Sequence, residues 1–153
     1  MATAWRLVKT RFADTALDGE GARLYGARWN SPGVAVAYAA DSPALAVLEV
    51  LAHLQSVRHL DAYSMMSIEI PDELIERLDA RALPPNWAAA PPPPEAQAVG
   101  DAWVAGARSA VLKVPSAIVP HSFIYLINPA HPDARRLAAG PSEQFRVDPR
   151  LLI

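Results

Sequence analysis

The chain is 153 residues long, 52% hydrophobic and 20% charged, which fits one globular domain with a proper core and excludes a disordered tail. Its formal net charge of -2 and lack of a long basic run argue against direct nucleic-acid binding through a broad electrostatic footprint. The absence of cysteine removes disulfides, thiolate metal sites and a cysteine nucleophile together.

Of the 14 cations, 12 are arginine, a bias that suits carboxylate and phosphate recognition but that a high-GC genome would also produce. Met1 to Arg6 lacks the basic start and apolar centre of a signal peptide, and no apolar run approaches the length of a membrane span. A bacterial cytoplasmic protein is the expectation.

Trp5-Arg6-Leu7-Val8 predicts a short opening strand. Its arginine, on composition alone, is more readily solvent-facing than functional. Asp14 to Gly21 is polar and glycine-containing, a loop, and Asn30-Ser31-Pro32-Gly33 is a turn. Val34 to Tyr38 alternates large and small residues, a strand with Val34, Val36 and Tyr38 on one face.

Ser42 and Pro43 then start a helix as N-cap and first helical residue. Its body, Ala44 to about Gln55, is apolar nearly all round and so predicts burial. The charge it carries ahead of Arg58 is Glu49, with His53 one turn later on the same face. A carboxylate there is costly unless a cation or several donors meet it. Arg28, ahead of the strand, is the candidate cation, and a purely structural ion pair from loop to helix is an equally good reading.

Tyr63 to Ile70 predicts a strand, and Pro71-Asp72-Glu73-Leu74 a short helix to about Leu78. Leu83 to Pro94 holds six prolines, four of them consecutive, and reads as an irregular loop inside one domain spanning 1–153. Glu95 to Arg108 has Ala96, Val99, Trp103 and Ala107 at helical spacing. Ala110 to Val114 and Phe123 to Ile127 are strands flanking a Ser116–His121 loop. Asn128 to Pro132 is a turn, and Gln144 to Asp148 a last strand that Pro149-Arg150 ends. Strands and helices intersperse without βαβ regularity, which predicts an α+β fold with a mixed or antiparallel sheet and flanking helices.

Several chemistries find no support. Neither a P-loop nor a dinucleotide-binding glycine fingerprint is present. His53, His59, His121 and His131 lack paired ligand spacing, so no metal is expected. Ser116 lacks the flanking glycines of a nucleophile elbow. Arg28, Tyr38, Glu49 and Ser116 remain, each weak alone: Tyr38 suits a core position and Ser116 a turn.

Together, Gly26-Ala27-Arg28-Trp29, Tyr38 ten residues on, Glu49 eleven further, Val114-Pro115-Ser116 and Asn128-Pro129-Ala130-His131-Pro132 resemble the RES domain. The resemblance runs from Trp5-Arg6 to the Arg146–Arg150 tail. The arginine, glutamate and serine that name the family would be Arg28, Glu49 and Ser116.

The resemblance implies a fold similar to ADP-ribosyltransferases, NAD+ as substrate, and a toxin neutralised by an Xre-type helix-turn-helix antitoxin in a multimeric complex. It implies Glu49 as the carboxylate beside the ribose, and Arg28 with the family-matched Arg6 at the pyrophosphate. Tyr38 would stack on or cap the nicotinamide, and Ser116 would bond its amide or a ribose hydroxyl; no base is evident that would make Ser116 a nucleophile. ADP-ribose would pass to water or phosphate, with a protein side chain as the alternative acceptor. A non-catalytic interaction module, with Arg28–Glu49 structural, is the competing class. One departure stands out: Ile124 occupies a strand position where family members commonly have asparagine.

Overall fold

A computed structural model of the chain describes residues 1–152. In chain order it contains β1 (Ala2–Lys9), α1 (Glu20–Tyr25), β2 (Ala37–Ala40), α2 (Pro43–Leu51), β3 (Tyr63–Ile70), β4 (Ile75–Arg77), α3 (Pro94–Gly106), β5 (Val111–Pro115), β6 (Phe123–Ile127), β7 (Ala138–Ala139) and β8 (Glu143–Gln144). Short 3-10 turns fill many of the connections. The eight strands form one sheet in the order β4-β5-β6-β2-β1-β3-β7, with β8 also on β3. Among the described residues only β4–β5 pairs in parallel. This is the expected α+β fold with a mixed sheet.

Alternation along the strands gives the sheet two apolar faces. Leu112, Val114, Ile124 and Leu126 pack with Leu45 and Ala46 of α2 and with Ala96 and Trp103 of α3. Ala4, Ile68, Ile70, Val111, Tyr125 and Ile127 form a second cluster. Each fully buried Ile, Leu or Val contributes roughly 1.5–3 kcal/mol through area removed from water.

Pairing along β1 is uneven. Eight residue pairs join β1 to β3, from Ala2↔Ile70 to Lys9↔Tyr63. A single pair, Trp5↔Ala40, joins β1 to β2. The sheet therefore splits beside Arg6.

Several elements differ from expectation for local reasons. The strand expected over 34–38 begins at Ala37, because Asn30 Nδ2 takes the Val34 carbonyl that a ladder would use. Val34, Val36 and Tyr38 nevertheless pack on one cluster. The helix carrying Glu49 stops at Leu51, where His53 N–H and Leu54 N–H make tight bonds three residues back and Ser56 caps the next 3-10 turn. It is half-buried: Leu45 and Ala46 are enclosed, while Leu48 is 42% exposed.

The helix expected to Leu78 is one 3-10 turn, Asp72–Leu74, after which Ile75–Arg77 takes the open edge of β5. The loop expected over 14–21 ends in α1, whose first turn is capped by Asp18 Oδ1 accepting from Glu20 N–H. The last strand is only Glu143–Gln144, and Asp148 caps a final 3-10 turn. No helix among the described residues is long and apolar enough to cross a membrane.

Candidate active site

Residues 26–33 form a loop in which the backbone is unusually well held. Gly26 adopts a left-handed φ of 72° and its amide closes α1 on the Ala22 carbonyl. Asn30 is fully buried; its Nδ2 donates to the carbonyls of Ala22, Ser31 and Val34, and its Oδ1 accepts from the Tyr38 hydroxyl at 2.7 Å. That hydroxyl in turn accepts from Trp29 N–H at 3.0 Å.

Helix α3 grips the same loop. Gln97 Nε2 donates to the Ala27 carbonyl, and Asp101 accepts from the Ser31 amide and hydroxyl. Gly100 lies directly against Trp29: a Cβ there would sit 1.7 Å from the Trp29 carbonyl oxygen.

Arg28 projects from this loop toward the proline-rich segment. Its Nη1 donates to the carbonyls of Trp87 at 2.9 Å and Ala89 at 2.8 Å, while Trp29 and Trp87 stack at 5.8 Å. The expected pairing of Arg28 with Glu49 is not formed: no salt bridge among the described residues joins them. Backbone carbonyls have taken that guanidinium instead. Its charge still reaches Glu49 through space, as the weakest of the influences that favour the ionised carboxylate.

Glu49 is half-buried on α2, a helix started by Ser42 accepting from Leu45 N–H. Its Oε1 accepts from the Ser116 hydroxyl at 3.0 Å. Burial pushes the carboxyl above the ordinary glutamate value, opposed first by the Ser116 bond, then by His53, then by Arg28.

Arg6, expected from composition to face solvent, is partly buried at the split between β1 and β2. Its Nη1 donates to the Tyr38 carbonyl at 2.7 Å, and its Nε is buried without a partner among the described residues. Desolvation lowers its affinity for the proton, partly offset by the negative charge of Asp18. A buried donor without a protein partner is rare.

The hydroxyl of Tyr38 is spent inside the loop, and burial raises its pKa. The structure thus brings Glu49 to Ser116, and Arg6 to Tyr38, by direct bonds, and leaves Arg28 near both groups without touching either. A surface cavity of about 550 Å³ adjoins the C-terminal end of α2, lined by Lys9, Val50, His53, Leu54, His59, Ala62 and Tyr63. None of the five candidates lines it, but His53, one turn from Glu49, does.

Ile124 lies in β6 opposite Ala40 on one side and Val114 on the other, 6% exposed in the apolar cluster under α2 and α3. Sequence reasoning passed over Asn30, Gly100 and Asp101, which hold the arginine loop. Asn-Ser-Pro-Gly signals a turn, and only the fold shows that the asparagine side chain closes it.

Residues 3–148 match the family model described as the RES domain. The chain belongs to the RES-domain family. It is 41% identical to the protein named Prs ADP-ribosylating toxin from Sphingobium sp., over 97% of this chain and 95% of that one. It is 36% identical to Toxin Res of Photorhabdus laumondii, over 97% of this chain and 96% of that one. Among solved structures it shares its fold with a chain of the M. tuberculosis MbcT–MbcA toxin–antitoxin complex, with a TM-score of 0.78 and 23% identity over 94% of this chain and 84% of that one.

Proposed function

We propose that this RES-domain protein is the toxin of a toxin–antitoxin pair and cleaves NAD+ at the bond between nicotinamide and ribose. The observation that carries the reading is Glu49: a half-buried carboxylate with one oxygen held by a neutral hydroxyl and, among the described residues, no ion pair to quench it.

As the C1′–N bond breaks, its electron pair leaves with the nicotinamide ring nitrogen and positive charge develops on the ribose, as in glycoside cleavage. Glu49, ionised, stabilises that charge and accepts from the ribose hydroxyls. The leaving group departs neutral, so no general acid is needed. Arg6, with an open Nε, and Arg28 hold the pyrophosphate through charge-assisted bonds. The ring of Tyr38, whose hydroxyl is fixed by Asn30 and Trp29, forms a wall for the nicotinamide. Water, which loses a proton to solvent, or inorganic phosphate then attacks C1′ and gives free ADP-ribose or its phosphate.

A second reading is favoured by the name of the Sphingobium relative, an ADP-ribosylating toxin. Here the attacking atom belongs to a protein side chain, and the product is a mono-ADP-ribosylated target. The proposed inhibitor is an Xre-type helix-turn-helix antitoxin that blocks the NAD+ site within a multimeric complex. The fold shared with a toxin–antitoxin complex supports such a partner.

The test uses antitoxin-free protein and NAD+ labelled in its adenine half, with and without phosphate and then with cell lysate. Free ADP-ribose or its phosphate supports NAD+ breakdown; label on a discrete lysate protein supports transfer. Glu49→Gln preserves shape and removes the charge, and is expected to slow either reaction on the order of a hundredfold or more. Undiminished activity in that variant, or intact NAD+ with wild-type protein under every condition, overturns the catalytic reading in favour of a binding module.

A further inference from the structure

We infer that Ser116 is a positioning residue that acts on substrate only through Glu49, by locking one carboxylate oxygen and leaving the other free. The inference rests on the proposed NAD+ cleavage and refines it. A serine hydroxyl offers one hydrogen to donate and two lone pairs to accept.

All three are used within the protein. The hydrogen goes to Glu49 Oε1 at 3.0 Å, and the oxygen accepts from Ile118 N–H and Val119 N–H, both at 3.1 Å. With both lone pairs aimed at backbone amides, the hydroxyl has no remaining acceptor to offer a nicotinamide amide, and donation to a ribose hydroxyl would release Glu49. Ser116 therefore does not fit the substrate contact that its place in the family's name suggests.

The loop that carries it is built as a brace. Ser116 N–H bonds the Ser122 carbonyl at 2.9 Å, closing residues 116–122 on themselves, and Ser122 N–H bonds the Val119 carbonyl. The far end of the loop is tied to the entry of α2: Phe123 N–H donates to Asp41 Oδ2 at 2.9 Å, and Asp41 N–H to the Phe123 carbonyl at 3.1 Å. Helix α2 is thus fastened to one loop at two points, Asp41 before its first turn and Glu49 in its second half.

No protein donor meets Glu49 Oε2 among the described residues, so the bond to Ser116 fixes the rotamer while that oxygen stays available to the ribose. The groups that act electrostatically on Glu49 are Ser116 from the loop, His53 from the segment after α2, and Arg28 from the residue 26–33 loop. Of these, Ser116 alone touches the carboxylate.

The test is steady-state NAD+ cleavage as a function of pH for wild type, Ser116→Ala, Ser116→Cys, Glu49→Gln and the Ser116→Ala/Glu49→Gln double variant. Losing a bond to a charged acceptor is expected to lower kcat on the order of tenfold in Ser116→Ala, with KM for NAD+ nearly unchanged. The acidic limb of its pH–rate profile moves to higher pH, because donation to the ionised carboxylate is gone. Ser116→Cys keeps the size and weakens the donor, so its limb falls between the two. On the Glu49→Gln background the alanine change adds no further loss.

A raised KM with an unmoved limb, or full additivity with Glu49→Gln, overturns the inference and makes Ser116 a substrate contact. Should Ser116→Ala fail to fold, the cysteine variant decides by the same limb. Wild-type protein that leaves NAD+ intact refutes the proposed function itself, before any variant is compared.

Discussion

Two neighbourhoods that lie close in sequence treat their polar groups in opposite ways. In the loop of residues 26–33, Asn30 makes four side-chain bonds, the Tyr38 hydroxyl makes two, and Arg28 is met by two carbonyls. At Arg6 and Glu49 the account stays open: Arg6 Nε has no partner among the described residues, and Glu49 has a hydroxyl where a cation was expected. Satisfied networks give rigidity and a single conformation. Unsatisfied charged groups are a standing penalty that a fold retains where a ligand completes them. We take the Asn30 network as scaffold, and the open groups of Arg6 and Glu49 as part of the proposed site. Substitutions in the Asn30 network should therefore damage folding, and substitutions at Arg6 and Glu49 should damage activity with little change in stability.

The sharpest way to break the scaffold is Gly100→Ala. In an exposed helix this change would be favourable, since alanine is the better helix former. Here the new methyl would lie 1.7 Å from the Trp29 carbonyl oxygen and 2.8 Å from its carbonyl carbon, both backbone atoms that cannot swing aside. Either α3 or the arginine loop must move. The expected loss is about 3 kcal/mol or more of unfolding free energy in a denaturant titration, from overpacking against backbone. A variant as stable as wild type would show that α3 and the loop are not rigidly coupled.

On the open side, Arg6→Leu tests the split between β1 and β2. Removing a partly buried guanidinium relieves its desolvation and its orphaned Nε, while the Tyr38 carbonyl loses its donor; the two effects oppose, so the melting temperature should stay within a few degrees of wild type. If Arg6 holds pyrophosphate, KM for NAD+ should rise by roughly 10- to 100-fold through lost charge-assisted bonds. A collapsed melting temperature with unchanged KM would transfer Arg6 to the scaffold.

The same contrast explains what was legible in the sequence. Strand β3 was readable because period-2 alternation over Tyr63–Ile70 is a local signal, and the α3 stripe because its spacing is. Arg28, Glu49 and Ser116 were readable as a constellation by resemblance. Their partnerships were not, since Glu49 and Ser116 are 67 residues apart and the Arg28 acceptors are carbonyls, which any residue possesses. The partial burial of Arg6 depends on how far β2 runs beside β1, a long-range property. The shortened β2 likewise traces to the Asn30 side chain capturing a carbonyl, which composition does not announce.

The smallest expected effect concerns stability at Glu49. Burial places its carboxyl above the ordinary value of 4.5 in the folded chain, so over the interval between the unfolded and folded values the native state binds more protons than the unfolded one. Stability therefore falls as pH rises through that interval; the contribution from neutral Glu49 is fully present below the unfolded value and lost above the folded one. Glu49→Gln keeps an acceptor for Ser116 and removes the titration. At neutral pH the variant should melt slightly above wild type, and the difference should shrink as the medium is acidified through the interval. Thermal melts of both proteins across that range measure it directly. A variant that is less stable at neutral pH would mean that the ionised carboxylate is held by the fold, which would move Glu49 into the satisfied class and leave Arg6 as the single open group of the pair.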